Sequence, residues 1–570
     1  MTRSHNGRRG PPADPGPTRG RGGLLVYLVN PWQHVVAEGS YTPPPSDCLG
    51  MNYVASAMRE AGYSVATCDA YVTRMQPEAI ADDALRKADG RGVFLGFSFM
   101  CPSQLPHAEL IVQRLREAGA RLVHVTAGGQ FAATSHGSLL REFPDTYDSM
   151  VYGEADTTAR KLIDAVVAQQ VWQDVPGVAS RDGASIRFER RRELPDLRAV
   201  PWPARDALPA LVEHDGVVNI DTSRGCESSC IFCMSREILR HTATRDRWRS
   251  RSPKDVVDEI EWIHRTSGLR RFNFTDENTI GNRHERSRIL ELADEFEARG
   301  LDIRFNAYIR AQDVDEELLR RLHEVGLASV FIGVESFWQP TLDRLNKGID
   351  VAANLEAIRT VRRVDGLRFY FGLMTFHPWV TLEEIRFNVE TLRREVLGIP
   401  LTGPEILKRL LQVLLIYKGT PSYKLAKRDG LITKEARFDQ GLCPYHLPEQ
   451  ARKLLRFIKR ALGCLLQPQH EAFLVWSAPE HQADADLVAR LHELNVRVDA
   501  AILDATDRFI RALEAEADQP ELDRIFDETR AQATDLAAEL QREVAMSVRG
   551  VGPVDQPDEV FLREAERLGA

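Results

Sequence analysis

The hydrophobic pattern in the first part of the chain predicts short buried strands that alternate with helices. Residues 24–29, Leu-Leu-Val-Tyr-Leu-Val, form a continuous apolar run, as expected for a strand that is covered on both faces. Residues 49–60 have a helical pattern that stops at Gly62. Further strand-like runs lie at residues 63–68, 93–97, 122–126 and 149–152. Strand–helix alternation at this spacing predicts a doubly wound parallel sheet, a Rossmann-like arrangement, over residues 23–170.

A second series of strand-like runs and helices covers residues 206–430. The strand-like runs lie at residues 217–222, 271–275, 303–308, 329–333, 367–374 and 411–417. The helix that opens at Ser252-Pro253 has a capping serine followed by proline, and a later helix ends at Gly300. Six such units predict a partial (β/α)6 barrel, in which functional groups lie where the strands end.

The remaining segments differ in composition. Residues 1–22 are rich in Gly, Pro and Arg, which predicts a disordered tail that is either solvated or in contact with a polyanion. Residues 171–205 contain four prolines and are predicted to link the two α/β units. Residues 431–570 predict a helical C-terminal domain, for which we consider packing on the barrel, shaping of the substrate pocket and docking of a partner.

The composition bounds the class of protein. The chain has 570 residues, 43% of them hydrophobic, which is enough for about three or four domains. Its net charge of −9 argues against a dominant nucleic-acid-binding face. The chain has only eight cysteines, five of them scattered, which fits a reducing compartment, and we see no secretory segment and no apolar run approaching the roughly 18 residues of a membrane span. We therefore expect a cytoplasmic protein with no membrane partner.

Three cysteines lie in one short loop directly after the first strand of the second series. Cys226, Cys230 and Cys233 have the spacing C-x3-C-x2-C. Three thiolates on one loop can hold a 4Fe–4S cluster and leave one iron open for a small molecule. A zinc site with His241 as the fourth ligand is an alternative, but the chain has no second C-x2-C pair, and a disulfide would need an oxidising compartment.

Small and polar residues follow the strands of the first series. They are Ser98, Gly128, Gly129, Gly153 and Glu154. Ligands of doubly wound sheets bind at the carboxyl ends of the strands, and glycine allows a ligand to approach the backbone closely. Ordinary tight turns are the alternative explanation for each of these glycines.

The cysteine loop, with Phe232 before its last cysteine, resembles the cluster loop of the radical S-adenosylmethionine (SAM) enzymes. The resemblance implies that the open iron binds the amino and carboxylate groups of SAM and that Phe232 packs beside the adenine. It also assigns SAM contacts to charged residues after three strands, although an ion pair at the barrel rim is the alternative for each. These residues are Asp276 and Glu277 after the second strand, Arg310 after the third and Glu335 after the fourth.

The catalytic residues are not assigned by this resemblance, and two residues are candidates. Tyr308 is the last residue of the third predicted strand. His377 lies where the family usually has a Gly-x-Pro-Gly-like turn, and it either faces substrate or packs in the barrel rim.

The first α/β unit resembles the cobalamin-binding domain that precedes many radical SAM barrels. The resemblance rests on the order of Asn30-Pro31, Ser98, Gly128-Gly129 and Gly153-Glu154 along the chain. It implies that the dimethylbenzimidazole tail of cobalamin lies in a groove lined by Ser98, Gly128 and Gly129. The motif D-x-H-x-x-G is absent after the first strand, where His34 has a different spacing, so we predict no histidine ligand beneath cobalt.

Together these features predict a cobalamin-dependent radical SAM enzyme. Its cofactors would be a 4Fe–4S cluster, SAM and cobalamin. The reaction would be methylation of a carbon centre in a small metabolite or peptide intermediate, through methylcobalamin and a 5′-deoxyadenosyl radical. Oxidation, cyclisation or ring rearrangement without methyl transfer is the alternative, and a cobalamin or SAM sensor is a further one. The expected partners are the substrate and an external electron donor such as a flavodoxin- or ferredoxin-like protein, with no nucleic acid.

Overall fold

The computed structural model describes residues 23–32, 44–191, 193–240, 247–281, 285–399, 405–434, 442–477 and 485–547. The predicted tail at residues 1–22, His34 and His241 lie outside the described residues. None of the helices within those ranges is long and apolar enough to cross a membrane.

The N-terminal sheet has seven strands in the order β2-β1-β3-β4-β5-β6-β7. The strands are β1 Leu24–Asn30, β2 Ser64–Asp69, β3 Gly92–Ser98, β4 Leu122–Gly128, β5 Ser149–Val151, β6 Val178–Asp182 and β7 Ser185–Phe188. The helices of this part are α1 Leu49–Glu60, α2 Ala70–Thr73, α3 Pro77–Ala88, α4 Leu105–Glu117, α5 Gln130–Glu142 and α6 Asp156–Val167. Strands β1 to β5 pair in parallel, and β1 is buried along its whole length, as its continuous apolar run predicts.

The segment predicted to be a linker, residues 171–205, is partly a β-hairpin. Strands β6 and β7 lie in this segment, and β6 pairs antiparallel with β5. The prolines of the segment lie outside both strands, so they do not interrupt the hairpin. The link between the two sheets is therefore shorter than the sequence predicts.

The second sheet has five parallel strands in the order β14-β13-β12-β11-β8. Its elements, with a two-stranded ribbon of β9 and β10, are α7 Leu208–Glu213, β8 Val218–Ile220, β9 Ser223–Gly225, α8 Met234–Arg240, β10 Trp248–Ser250, α9 Pro253–Ser267, β11 Arg271–Phe274, α10 Arg286–Arg299, β12 Arg304–Arg310, α11 Glu316–Glu324, β13 Leu327–Glu335, α12 Gln339–Arg344, α13 Val351–Arg362, β14 Arg368–Leu373, α14 Leu382–Glu395, α15 Glu405–Leu411 and α16 Pro421–Arg428. Five of the six predicted barrel strands are present, each followed by helix.

The sixth predicted strand, residues 411–417, is reduced to a single parallel β-bridge between Phe376 and Val413. Phe376 donates to the carbonyl of Gln412 at 3.0 Å, and Leu414 donates to the carbonyl of Phe376 at 2.8 Å. At its far end the segment also forms an isolated antiparallel bridge between Tyr417 and Leu442, and helix α15 occupies the residues up to Leu411. The apolar pattern of residues 411–417 thus indicates that the segment is buried, and it does not show that the segment forms an extended strand.

The C-terminal part is helical, as predicted. It consists of α17 Glu449–Phe457, a π-helical turn Ile458–Leu462, α18 Leu466–Ser477, α19 Ala485–Glu514 and α20 Gln519–Ser547. Apolar side chains of these helices and of the barrel form one continuous buried cluster. The ring of Phe457 in α17 stacks on that of Phe509 in α19, with centroids 4.0 Å apart. These helices therefore pack on the barrel.

Buried ion pairs join the two sheets. The Arg205 guanidinium contacts Asp47 at 2.7 Å on the side of the first sheet and Glu259 at 2.6 Å in α9, and all three side chains are buried. The backbone N–H of Val217 donates to the carbonyl of Pro45 at 2.9 Å. Removal of one member of such a buried network leaves an uncompensated charge, which costs about 3–5 kcal/mol. These contacts hold the segment before α1 against α9 and the start of β8.

Candidate functional site

The cysteine loop is held from three sides. It leaves β9 at Gly225 and enters α8 at Met234. The N–H of Ile231 donates to the carbonyl of Leu345 at 2.9 Å, and its carbonyl accepts from the N–H of Ser422 at 3.0 Å. The side-chain amide of Asn346 donates to the carbonyl of Ser229 at 2.8 Å. The loop is thus fixed between the residues after α12 and the start of α16.

Asp276 supports this loop. Its Oδ1 accepts from the backbone N–H and the hydroxyl of both Thr222 and Ser223, at the end of β8 and the start of β9. The side chain is 2% exposed, and burial, partly offset by these hydrogen bonds, raises the pKa of the carboxyl to about 6. Oδ1 is thus occupied by the loop, and the assignment of Asp276 as a SAM contact stays a prediction.

The three cysteines are free thiols on one loop. Burial is the main cause that raises the pKa of Cys230 and Cys233, so binding of a metal as thiolates would release protons. Within the described residues, no three Cys, His, Asp or Glu side chains converge as a single-ion site. A zinc ion needs its ligands around one centre, whereas the ligands of a 4Fe–4S cube bind separate irons. Three thiols on one loop match the ligand set of a cube with one open iron.

Glu277 and Glu335 lie on two sides of the cysteine loop. Glu277 is exposed, and its Oε2 accepts from the N–H of Gly225 at 2.8 Å. Glu335 is buried at the end of β13, where its Oε1 accepts from Lys347 Nζ at 3.0 Å. Both carboxylates act on cysteine pKa values, Glu277 on Cys233 and Glu335 on Cys230. The structure thus brings both predicted residues to the loop.

Arg310 has an unsatisfied donor. Its side chain is 14% exposed and lies 3.8 Å from the Asp313 carboxylate, and the buried Nε has no hydrogen-bond partner among the described residues. Its charge also opposes the rise in the pKa of Lys347 that Glu335 causes, which places Arg310 near this pair. An orphaned guanidinium N–H at this position fits a carboxylate ligand such as that of SAM.

Phe232 and the two candidate catalytic residues differ in surroundings. Phe232 is half-buried and packs against the barrel core. Tyr308 is half-buried on β12, and burial raises the pKa of its hydroxyl, which keeps it protonated.

His377 is 1% exposed and is held on both ring nitrogens. Its Nδ1 accepts from the N–H of Trp379 at 3.3 Å, so Nε2 donates to Glu384 at 3.2 Å. The candidate His377 therefore packs in the rim, which is the second of the two roles considered for it.

A cavity of about 690 Å³ opens between the two sheets. All five residues predicted at strand ends of the first sheet line it: Ser98, Gly128, Gly129, Gly153 and Glu154. On the barrel side, Gly225 and Glu277 line the same cavity, next to the cysteine loop. The structure therefore brings the predicted cobalamin groove and one side of the cluster loop to one space.

The two adjacent glycines of the groove have different surroundings. Gly129 has a φ of +91°, and a Cβ there would collide with the backbone of Phe99. A Cβ at Gly128 would have only ordinary contacts, the nearest being the Val151 carbonyl oxygen at 3.5 Å. Beside them, the thiol of Cys48 donates to Ser98 Oγ at 3.3 Å. An open glycine edge next to a hydroxyl fits the approach of a flat heterocycle.

Glu154 lines the cavity and also forms ion pairs. Its carboxylate pairs with Arg224 Nη1 at 3.2 Å and with Arg249, two arginines of the β9–β10 ribbon, and Arg224 also contacts Asp156 at 2.9 Å. The assignment of Glu154 as a cofactor contact stays a prediction. Glu154 fastens the first sheet to the ribbon from which the cysteine loop starts.

Sequence reasoning missed Arg224, which joins the two halves of the site. Arg224 stacks over the Tyr53 ring at 4.3 Å and pairs with Asp221 at 2.7 Å. Its sequence signal is its position just after a predicted strand. Asp69, which belongs to the residue order that resembles the cobalamin-binding domain, accepts from the N–H of Cys48 at 2.7 Å and the side chain of Asn30 at 2.8 Å, and burial raises its pKa to about 6.

Comparison with known proteins agrees with this geometry. The model of the radical SAM superfamily matches residues 220–392, and that of the B12 binding domain matches residues 42–163. An uncharacterised methyltransferase of Pyrococcus horikoshii is 26% identical over 376 residues, which cover 65% of this chain and 78% of that protein. The anaerobic magnesium-protoporphyrin IX monomethyl ester cyclase of Synechocystis is 28% identical over 375 residues, covering 64% of this chain and 70% of the cyclase.

A solved structure shares the fold over most of the chain. The cobalamin-dependent SAM radical enzyme OxsB, with aqua-cobalamin and SAM bound, superposes with a TM-score of 0.74 at 16% identity, covering 96% of this chain and 83% of that one. The matched domains, the cysteine loop and the shared cavity lead to one conclusion: the chain belongs to the cobalamin-dependent radical SAM enzymes, whose cofactors are a 4Fe–4S cluster, SAM and cobalamin.

Proposed function

We propose that this enzyme methylates a carbon centre of a small metabolite or peptide intermediate. The observation that carries the proposal is the single cavity lined by Ser98 and Gly128 on one side and by Gly225 and Glu277 on the other. When bound, the cluster with SAM supplies a 5′-deoxyadenosyl radical and cobalamin supplies a methyl group. Both must reach one substrate carbon at near-contact distance, and one shared space allows this.

The proposed roles of the barrel residues follow from their contacts. Glu277 uses Oε2 for the N–H of Gly225, which leaves Oε1 for the amino group of SAM. The Nε of Arg310 is available to a carboxylate. Lys347 holds Glu335 at the opposite side of the loop. Because these groups follow three different strands, they converge on one ligand, as barrel enzymes arrange their binding groups.

The proposed division of labour follows the predicted domains. Residues 23–170 hold cobalamin, residues 206–430 hold the cluster and SAM, and residues 431–570 pack on the barrel. We also propose a cytoplasmic location and an external flavodoxin- or ferredoxin-like electron donor. All eight cysteines are free thiols, which supports a reducing compartment.

Ring formation without methyl transfer is the second candidate. One specific observation favours it, since the Synechocystis relative is a cyclase that covers nearly the same share of the chain as the Pyrococcus methyltransferase. A cobalamin or SAM sensor is less well supported, because sensing does not require three cysteines placed to leave an open iron.

The test is turnover by the reconstituted enzyme with methyl-deuterated SAM, a chemical reductant and the metabolites made by enzymes encoded nearby. We expect 5′-deoxyadenosine and S-adenosylhomocysteine in near-equal amounts, with deuterium in the product. Cys230→Ala should abolish 5′-deoxyadenosine, whereas Cys464→Ala, at an exposed thiol, should not. 5′-Deoxyadenosine without S-adenosylhomocysteine or label transfer would establish ring formation or rearrangement instead. Stoichiometric zinc, with no iron after reconstitution, would refute the cluster.

A further inference from the structure

The inner face of the five-stranded barrel sheet has an ordered pattern of side chains. On β11, β12 and β14, residues buried under the helices alternate with residues of the opposite face, most of which are half-buried, whereas on β13 the opposite-face residue Ser329 is itself buried. One opposite-face residue from each of the five strands lies in register with its neighbours, so that the five form a polar row across the sheet: Asn219, Asn273, Asn306, Ser329 and Arg368. Their side chains are linked, since Asn273 donates to Asn219 at 3.1 Å and Ser329 donates to Asn306 at 2.8 Å.

The next level of this inner face is aromatic. Tyr308, Phe331 and Tyr370 lie in register on β12, β13 and β14 and are all half-buried. The ring centroids of Tyr308 and Phe331 are 5.5 Å apart, and those of Phe331 and Tyr370 are 5.2 Å apart. One further step along the strands, about 7 Å, leads to the level of Arg310 and Gly333 beside the cysteine loop. The aromatic wall thus lies directly behind the proposed SAM site.

Arg368 ends the polar row without an acidic partner among the described residues. It is half-buried, and burial lowers the pKa of its guanidinium. Its guanidinium carbon lies 5.9 Å from the centre of the Phe473 ring in α18. By contrast, most of the other half-buried arginines of the barrel pair with carboxylates, such as Arg299 with Asp258 at 2.7 Å. A desolvated arginine without a carboxylate is an incomplete ion pair.

The inner face is continuous with the cavity between the sheets. Asn219, at one end of the polar row, and Thr275, one step further along β11, both line the cavity. The cavity therefore reaches the edge of the inner face at β8 and β11, from which the polar row leads across the sheet towards Arg368.

We propose that the substrate has a planar apolar body that packs on Tyr308, Phe331 and Tyr370, and an anionic group, carboxylate or phosphate, that binds Arg368. This inference rests on the proposed function and adds a substrate class to it. Arg368 and Gly372 are four residues apart on β14, which corresponds to about 13 Å. The anion is thus held about that length from the level of Arg310, Gly333 and Gly372 beside the proposed SAM site, and the Phe473 ring of α18 lies next to the anion site.

The test is equilibrium dialysis of the reconstituted holoenzyme with three naphthalene probes of similar size: 2-naphthoate, 2-naphthyl phosphate and neutral 2-naphthamide. We expect at least one anion to bind about 10-fold or more tightly than the amide, as a charge-assisted hydrogen bond provides. Arg368→Gln should remove that preference without changing amide binding. Arg362→Gln removes the same charge from the exposed outer side of the barrel and should change nothing. Phe331→Leu should weaken all three probes.

Equal binding of the amide and both anions, no binding of any probe at millimolar concentration, or an anion preference retained in Arg368→Gln would overturn the inference. Whichever anion binds more tightly identifies carboxylate or phosphate as the preferred group. The measurement involves no turnover, so it is independent of the proposed function. The two proposals can fail separately. If Arg368→Gln loses the anion preference but the unsubstituted enzyme forms no S-adenosylhomocysteine in turnover, methyl transfer is contradicted and the anion site is retained.

Discussion

Lys347 Nζ lies 3.0 Å from Glu335 Oε1, and neither side chain is more than 10% exposed. Glycine makes room for this pair, since a Cβ at Gly333 would lie 2.7 Å from Lys347 Nζ. Burial is the main cause that raises the pKa of Cys230, and Lys347 opposes that rise whereas Glu335 adds to it. A buried ion pair therefore borders one of the three cluster ligands, and the charges of the pair affect the pKa of the Cys230 thiol.

The first prediction concerns this pair. Lys347→Met leaves Glu335 buried without a counter-charge, so we expect a loss of about 3–5 kcal/mol in the free energy of unfolding, measured in urea. The double variant Lys347→Met with Glu335→Gln should recover much of that loss, because it removes both charges. A loss of less than about 1 kcal/mol in the single variant, as at an exposed pair, would show that the pair is solvated.

The second prediction uses the difference between two adjacent glycines. Gly128→Leu should fold normally, because its Cβ meets nothing closer than 3.5 Å, but its side chain would enter the cavity and reduce cobalamin binding by about 10-fold or more. Gly129→Ala should instead lower the melting temperature, because its Cβ collides with Phe99 and its φ is positive. Cobalamin titration and thermal unfolding separate the two effects.

The matched control for this pair is Gly463→Leu. A Cβ at this C-terminal glycine would have no described atom within 4 Å, and Gly463 does not line the cavity. Cobalamin affinity in this variant should equal that of the unsubstituted protein. If Gly128→Leu binds cobalamin equally well, the groove lies elsewhere.

The third prediction concerns the lower face of cobalt. Among the described residues that line the cavity there is no histidine. Cob(II)alamin bound to the protein should therefore give an EPR spectrum without strong axial nitrogen splitting. The same spectrum is expected for His34→Ala. Nitrogen splitting that disappears in this variant would show that His34 is a cobalt ligand.

The sequence is sufficient for features that depend on local pattern. The continuous apolar run of β1 and the C-x3-C-x2-C spacing of the loop each predict their element without knowledge of distant residues. The strand ends at Ser98 and Gly128 can be placed at one edge because parallel strands share their direction.

Features that depend on long-range pairing cannot be predicted in this way. The positions of Glu154 and Asp276 after strands predict ligand contacts, but each carboxylate is used by a segment more than 50 residues away along the chain. The apolar run before Tyr417 is buried by α15 and the loop after β14, and burial alone does not distinguish a strand from a packed loop. No local pattern in the sequence shows which distant residue a side chain contacts.

The fourth prediction concerns the pH dependence of stability at Asp276. Its carboxyl is raised in pKa from 3.8 to about 6, mainly by burial. A carboxyl with a raised folded pKa favours folding when it is protonated, so its contribution is fully present below pH 3.8 and is lost as the pH rises through 6. Asp276→Asn keeps the Oδ1 acceptor that holds Thr222 and Ser223 but cannot ionise. Relative to the unsubstituted protein, this variant should gain up to about 3 kcal/mol between about pH 4 and pH 7.

Asp276→Ala is the matched comparison, because it removes both the charge and the acceptor. It should be less stable than Asp276→Asn at every pH, since the donors of Thr222 and Ser223 lose their partner, at about 1–3 kcal/mol for a buried unsatisfied group. Urea unfolding of the cluster-free protein at pH 4, 5, 6 and 7 provides the four free energies for each variant. If Asp276→Asn and the unsubstituted protein keep a constant difference over this range, the carboxyl does not titrate there, and Asp276 supports the loop as a permanent anion stabilised by the nearby charge of Arg288.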